Sequence, residues 1–142
     1  LASLRPLLLP GGRLILLESL PRHTQRLSSL LEGPEGWAEA EDAVYTDPDD
    51  PLTRWTAAAL SALLERVGFT VHTTPLSTTH SLHITQQTVQ RWLSDRPDSY
   101  ASRLRPHLGT ALDAALTAAV GRTLPWRSEA VLLTAEVEPD SC

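Results

Sequence analysis

The residues best placed to do chemistry in this chain follow its first apolar run. Leu14-Ile15-Leu16-Leu17 ends in Glu18, and Arg22, Gln25 and Arg26 lie within the next eight residues. A carboxylate there can orient a substrate amine or hydroxyl, and two guanidinium groups can meet an anion through paired N–H donors. The plainer alternative, and the preferred one, is that Glu18 pairs with Arg22 or Arg26 and anchors the segment after the strand. Further on, Tyr45, Asp47, Asp49 and Asp50 form an acidic, aromatic loop flanked by Trp37 and Trp55. Such a loop can line the mouth of a substrate site or bind a cation, and an indole can stack on a planar substrate. Asp-x-Asp-Asp lacks the glycine and the distal glutamate of a calcium loop. A solvated turn, with Asp side chains closing on backbone N–H groups, is expected instead, and packing is the commoner use of the two indoles. His72, His80 and His83 fit no zinc spacing, and no cysteine or paired carboxylate joins them; an exposed strand face is their expected place. The sequence has no His-Glu-x-x-His, no Gly-x-Ser-x-Gly and no phosphate-cradling glycine loop.

Alternating strands and helices must position these residues. Pro10-Gly11-Gly12 is a turn feeding the run 13–17. An unbroken apolar run bounded by a turn reads as a strand buried on both faces, an interior strand of a mainly parallel sheet. Its neighbours would have to come from polypeptide ahead of Leu1. With no methionine in 142 residues, the chain is expected to be a piece of a longer one. Thr24 can cap a helix carrying Leu27, Leu30 and Leu31 and stopped by Gly33. A second helical stretch runs from Glu35 to about Val44, and Asp47-Pro48-Asp49-Asp50-Pro51 is a loop. Thr56 caps the clearest helix, where Leu60, Leu63, Leu64 and Val67 recur at i, i+3, i+4 and i+7 and Gly68 closes it. Residues 69–73 read as a strand by alternation, with a second extended stretch through 82–84. A helix from Gln86 turns Val89, Trp92 and Leu93 inward until Arg96-Pro97-Asp98 breaks it. A short helix over 100–104 precedes Pro106, a longer one covers about 111–120 up to Gly121, and 130–137 is a strand led in by Pro125-Trp126-Arg127. This order indicates an α/β sheet, and three strands are half a doubly wound domain.

Bulk properties narrow the function classes. The length allows one domain with a sizeable core, and 42% apolar with 20% charged residues fits a soluble globular chain. A net charge of −5 gives no direct nucleic-acid signal, because a phosphate-gripping surface needs excess positive charge. All twelve basic residues are arginine, a pattern that GC-rich coding produces. Cys142 is the single cysteine, so no internal disulfide forms and a cytoplasmic location is expected. The run 7–17 is interrupted by Pro10, Gly11, Gly12 and Arg13, too broken to cross a membrane, and residues 1–17 do not show the polar n-region and small-residue cleavage site expected of an intact signal peptide.

Leu9-Pro10-Gly11-Gly12-Arg13-Leu14 resembles the turn that enters the fifth strand of class I S-adenosylmethionine-dependent methyltransferases. Leu63-Leu64-Glu65-Arg66-Val67-Gly68-Phe69 resembles the helix ending in Gly-Phe that leads into their sixth strand, and 130–137 would be their final, antiparallel strand. The likeness covers most of the chain apart from helical inserts at about 20–52 and 86–125. It implies an α/β fold: the C-terminal strands of a partial Rossmann-like methyltransferase sheet, the last one antiparallel. The activity implied is methyl transfer from S-adenosylmethionine in the complete domain, where positioning carries the rate. The family's glycine-rich loop and its ribose-binding acidic residue have no counterpart here. This chain alone is therefore expected to bind the cofactor weakly or not at all, with no cofactor-binding or metal residue assigned. Glu18, Arg22, Gln25, Arg26, Tyr45 and Trp55 are its substrate-side candidates.

A narrower resemblance rests on Pro21-Arg22-His23-Thr24-Gln25-Arg26-Leu27, Tyr45-Thr46-Asp47-Pro48-Asp49-Asp50-Pro51 and Leu124-Pro125-Trp126-Arg127-Ser128, with the Arg91-Trp92 and Ser99-Tyr100 pairs. These runs look like a methyltransferase-like domain fused behind replication-associated recombination protein A-type AAA+ ATPases. The partners this implies are the missing N-terminal half or the fused ATPase. The rival function is a non-catalytic interaction appendage of such an ATPase, acting in replication-associated recombination and repair. Arg54-Trp55 and Arg91-Trp92 suit an interface, where those residue types are enriched. Self-association is also expected if the first strand leaves an open edge.

Overall fold

Three strands and five helices follow one another in the computed structural model, which describes residues 5–137. They are β1 (Arg13–Ser19), α1 (Trp37–Tyr45), α2 (Ala57–Arg66), β2 (Thr70–His83), α3 (Gln86–Trp92), α4 (Tyr100–Leu108), α5 (Ala111–Ala118) and β3 (Thr123–Glu136). The sheet order is β1-β3-β2, and β3 runs antiparallel to both neighbours. β1 and β2 are therefore parallel to one another without touching. The architecture is mixed α/β. Cys142 lies outside the described residues.

α2 forms as its sequence spacing predicts. The Thr56 hydroxyl accepts from the Ala59 N–H at 3.1 Å, and Gly68, at φ 87°, donates its N–H to the Glu65 carbonyl at 2.9 Å. Leu60 and Leu64 of this helix face Val131, Leu133 and Ala135, the inward set of β3. The register Leu14↔Ala135 and Leu16↔Leu133 sends those two β1 side chains to the same face. Leu64 and Leu133 retain no exposed surface; burying each contributes about 1.5–3 kcal/mol.

β1 is a strand, as expected, but not an interior one among the described residues. It forms the sheet edge, its ladder is antiparallel, and Ile15 and Leu17 are 62% and 65% exposed. Those two side chains alternate with Leu14 and Leu16 and point away from α2. A continuous apolar run signals burial on two faces only where a second layer covers it; among the described residues α2 covers one face and nothing covers the other.

The edge has a consequence for association. Gly12 accepts from the Val137 N–H at 3.0 Å and Leu20 donates to the Glu129 carbonyl at 2.9 Å, so even-numbered residues bond to β3. The N–H and C=O groups of Ile15 and Leu17 thus face the open edge. Antiparallel pairing with a second copy about Leu16 would set Ile15 opposite Leu17 on the uncovered face. Light scattering of the chain should show a mass that rises with concentration. Lysine at both Ile15 and Leu17 should return it to a monomer, because edge lysines block pairing; a wild-type chain monomeric throughout overturns the expectation.

Four other expectations need correction. Residues 24–31 hold only a short 3₁₀ turn, Leu27–Ser29, because the N–H groups of Leu27 and Ser28 bond to the Glu41 carboxylate. The two extended stretches at 69–73 and 82–84 are one strand, pairing from Thr70↔Glu136 to His83↔Thr123. β3 likewise begins seven residues before 130, with Pro125 inside it. β1's ladder ends at Ser19↔Ala130, so β3 has an open side at Pro125 that tolerates the missing N–H. α4 continues through Pro106 to Leu108. The proline forfeits one hydrogen bond near the helix end, and Gly109, at φ 59°, then turns the chain.

Because β1 and β2 are parallel, the segments that follow them leave the sheet at the same end. Leu27, Leu31 and Trp37 from the first segment pack with Leu104, Leu112 and Leu116 from the second. This second core forms a helical layer beyond the strand ends, separate from the core beneath α2.

Candidate functional site

The helical layer holds a buried polar network centred on α1. Trp37, Glu41 and Tyr45 recur every four residues and so share one helix face. Glu41 is 1% exposed. Its Oε1 accepts from the Leu27 N–H at 3.0 Å and from the Tyr100 hydroxyl at 2.5 Å, and its Oε2 accepts from the Ser28 N–H at 3.0 Å. The Trp37 indole N–H donates to the Tyr100 oxygen at 2.8 Å. Gly33 lets the indole lie against the backbone, since a Cβ there would collide with the ring. Burial pushes the Tyr100 phenol well above its ordinary pKa, and the charge of Glu41 and its hydrogen bond push the same way.

Tyr45 lies one turn further along α1, beneath two guanidinium groups. The Arg26 and Arg103 Cζ atoms stand 4.6 and 5.5 Å from its ring centroid. Burial raises its pKa, aided by Glu41; Arg103 and Arg26 act in the opposite direction. Arg103 is itself fixed by an ion pair with Asp50, both side chains being more than four-fifths buried. The acidic loop that supplies Asp50 is a set of Asx turns, as its sequence indicates: Asp47 accepts from the Asp49 N–H at 2.9 Å and Asp50 from the Leu52 N–H at 2.8 Å.

A cavity of about 350 Å³ opens against this network. Tyr45, Trp92 and Tyr100 give it aromatic walls, and Arg91, Arg96, Asp98 and Arg103 give it charge. The Trp92 and Tyr100 rings are tilted at 48° with centroids 6.1 Å apart. Its volume and aromatic lining suit a small aromatic molecule. The network beside it is built to hold position: three donors fix Glu41, and both phenols keep their protons at neutral pH.

The sequence candidates divide between this site and other places. Tyr45 lines the cavity, and Arg26 stacks on Tyr45 while donating to the carbonyls of Pro21, Thr24 and Arg22 at 2.9 Å and to Asp42 at 3.2 Å. Arg22 donates to the Thr46 carbonyl at 2.8 Å, and Gln25 to the Ser29 hydroxyl at 2.6 Å. Both arginines therefore anchor the insert, but not through Glu18, which is exposed and forms no ion pair with either. Trp55 packs in the core beneath α2, with the Arg54 guanidinium 4.9 Å over its ring. Glu41, Arg103 and Arg96 were not singled out by the sequence. The spacing Trp37-x-x-x-Glu41-x-x-x-Tyr45 was the available signal, since it puts a carboxylate on the inward stripe.

His72, His80 and His83 are strung along exposed positions of β2, and the His83 Nδ1 lies 2.8 Å from the Thr123 hydroxyl. Among the described residues no three His, Cys, Asp or Glu side chains gather as a metal site, and no helix is long and apolar enough to cross a membrane. No protein-family model matches this sequence, and no curated protein matches it either.

Proposed function

We propose that this chain is the C-terminal, substrate-side part of a methyltransferase-like domain. The strand order carries the proposal: two parallel strands flank a final antiparallel strand, with α2 crossing between the parallel pair. The position of the cavity supports it as well. Ligands of open α/β sheets gather beyond the carboxyl ends of parallel strands, and both inserts that build the cavity depart from those ends.

The described residues do not fit S-adenosylmethionine itself. No glycine-rich turn joins a strand to a helix N-terminus, and β1 is followed by Leu20-Pro21-Arg22. The cofactor would be held by other polypeptide, and the residues here would orient the acceptor. Isothermal titration separates the two roles. The 142-residue chain should show no binding of S-adenosylmethionine, and the longer protein encoded by its reading frame should bind it and transfer a labelled methyl group. Micromolar binding by the short chain overturns the substrate-side assignment. A longer protein that neither binds nor transfers favours the interaction appendage, for which the exposed β1 edge is the supporting observation.

A further inference from the structure

The charges lining the cavity are unequal in their commitments. Arg103 is neutralised by Asp50, and Arg96 by Asp98 through two hydrogen bonds of 3.0 and 2.9 Å. Arg91 has no ion-pair partner among the described residues. It sits in the last turn of α3, beside Trp92, with its side chain exposed at the cavity. The lining therefore carries one uncompensated positive charge next to three aromatic rings.

We infer that the cavity binds an aromatic carboxylate, a planar monoanion whose carboxylate pairs with Arg91 and whose ring lies among Tyr45, Trp92 and Tyr100. A guanidinium takes a carboxylate through two parallel N–H donors. Aromatic walls favour a flat ring, and about 350 Å³ is at the low end of small-molecule pockets. A dianionic phosphate ester would call for a second free cation, and Arg96 and Arg103 are both engaged. The inference rests on the substrate-side reading for its biological meaning, but its binding test does not need methyl transfer.

The test is calorimetric titration of the 142-residue chain with benzoate and indole-3-carboxylate, with their uncharged amides, and with phenyl phosphate. At least one acid should bind, its amide about tenfold or more weaker, a difference of about 1.4 kcal/mol. R91Q should weaken the acid about tenfold and leave the amide unchanged. Arg91 lies outside both cores, so the variant's thermal transition should match that of the wild type. Equal binding of acid and amide, binding of neither, tighter binding of phenyl phosphate, or an R91Q chain that binds the acid as before each overturn the assignment. Methyl transfer by the longer protein with no carboxylate binding here would sink this inference alone. Carboxylate binding without any transfer would sink the methyltransferase reading alone.

Discussion

Replacing Glu41 with alanine should destabilise the protein by about 3 kcal/mol or more, because three hydrogen bonds to its carboxylate are lost together at about 1–3 kcal/mol each. The substitution strands three donors at once: the buried N–H of Leu27 and the half-buried Ser28 N–H and Tyr100 hydroxyl. Each donor left without an acceptor costs about 1–3 kcal/mol, and the carboxylate is the single group that satisfies all three. The loss is large against the whole stability of an ordinary domain, about 5–15 kcal/mol.

Glutamine at the same place is a graded control. It keeps one carbonyl oxygen but turns an amide N–H toward a backbone donor, so E41Q should fall between wild type and E41A. Glu39, exposed on the same helix, supplies the opposite control: E39A should stay within about 0.5 kcal/mol. Urea unfolding followed by circular dichroism measures all three. An E41A chain within about 1 kcal/mol of wild type would show that water replaces the carboxylate without penalty, contrary to the burial of Glu41.

The contrast between α2 and α1 shows which structure the sequence makes legible. α2 has an apolar stripe, a Thr cap and a glycine stop, three local signals that agree, and its bounds follow from them. α1 was located within two residues at its start, but its function was hidden. The helix reads as an apolar side made of Trp37, Ala40 and Val44, which gives Glu41 no role, and only the long-range approach of Leu27, Ser28 and Tyr100 makes Glu41 a buried acceptor. The stretch 72–81 failed for a related reason. Its Thr, Ser and His residues show no alternation because nearly all stay exposed, and the ladder to β3, not a buried face, holds them extended.

The misassigned ion pair of Glu18 has the same origin. Charge spacing alone offered Arg22 and Arg26 as partners, yet Arg26 gives its guanidinium to the carbonyls of Pro21, Arg22 and Thr24, and Arg22 reaches the Thr46 carbonyl at the end of α1. Arginine has five donors in a fixed fork, and a carbonyl-rich turn fills them better than one flexible carboxylate. Sequence spacing records charges but not free carbonyls. The acidic loop succeeded because Asx turns are local, two residues long and encoded in the Asp side chains themselves.

Raising the pH should unfold this protein through its two tyrosines. The chain contains Tyr45 and Tyr100, twelve arginines and no lysine, so above about pH 9.5 the tyrosines are the main side chains left to titrate before arginine. Both phenols are raised above their ordinary value in the folded state, chiefly by burial and then by the charge of Glu41. The unfolded chain releases its phenolic protons near pH 10, roughly, while the folded chain retains them. Stability is therefore complete below that pH and falls above it, with a limiting slope of about 1.4 kcal/mol per pH unit for a tyrosine that keeps its proton only in the folded state. Denaturant midpoints taken across the alkaline range should trace that slope, with tyrosinate absorbance appearing together with unfolding. Y45F keeps the ring beneath Arg26 and Arg103 and removes one titrating group, so it should make the alkaline slope shallower with little effect at neutral pH. If tyrosinate instead formed smoothly near pH 10, roughly, with the fold intact, the phenols would be open to solvent, and the buried network that supports the cavity would not exist as described.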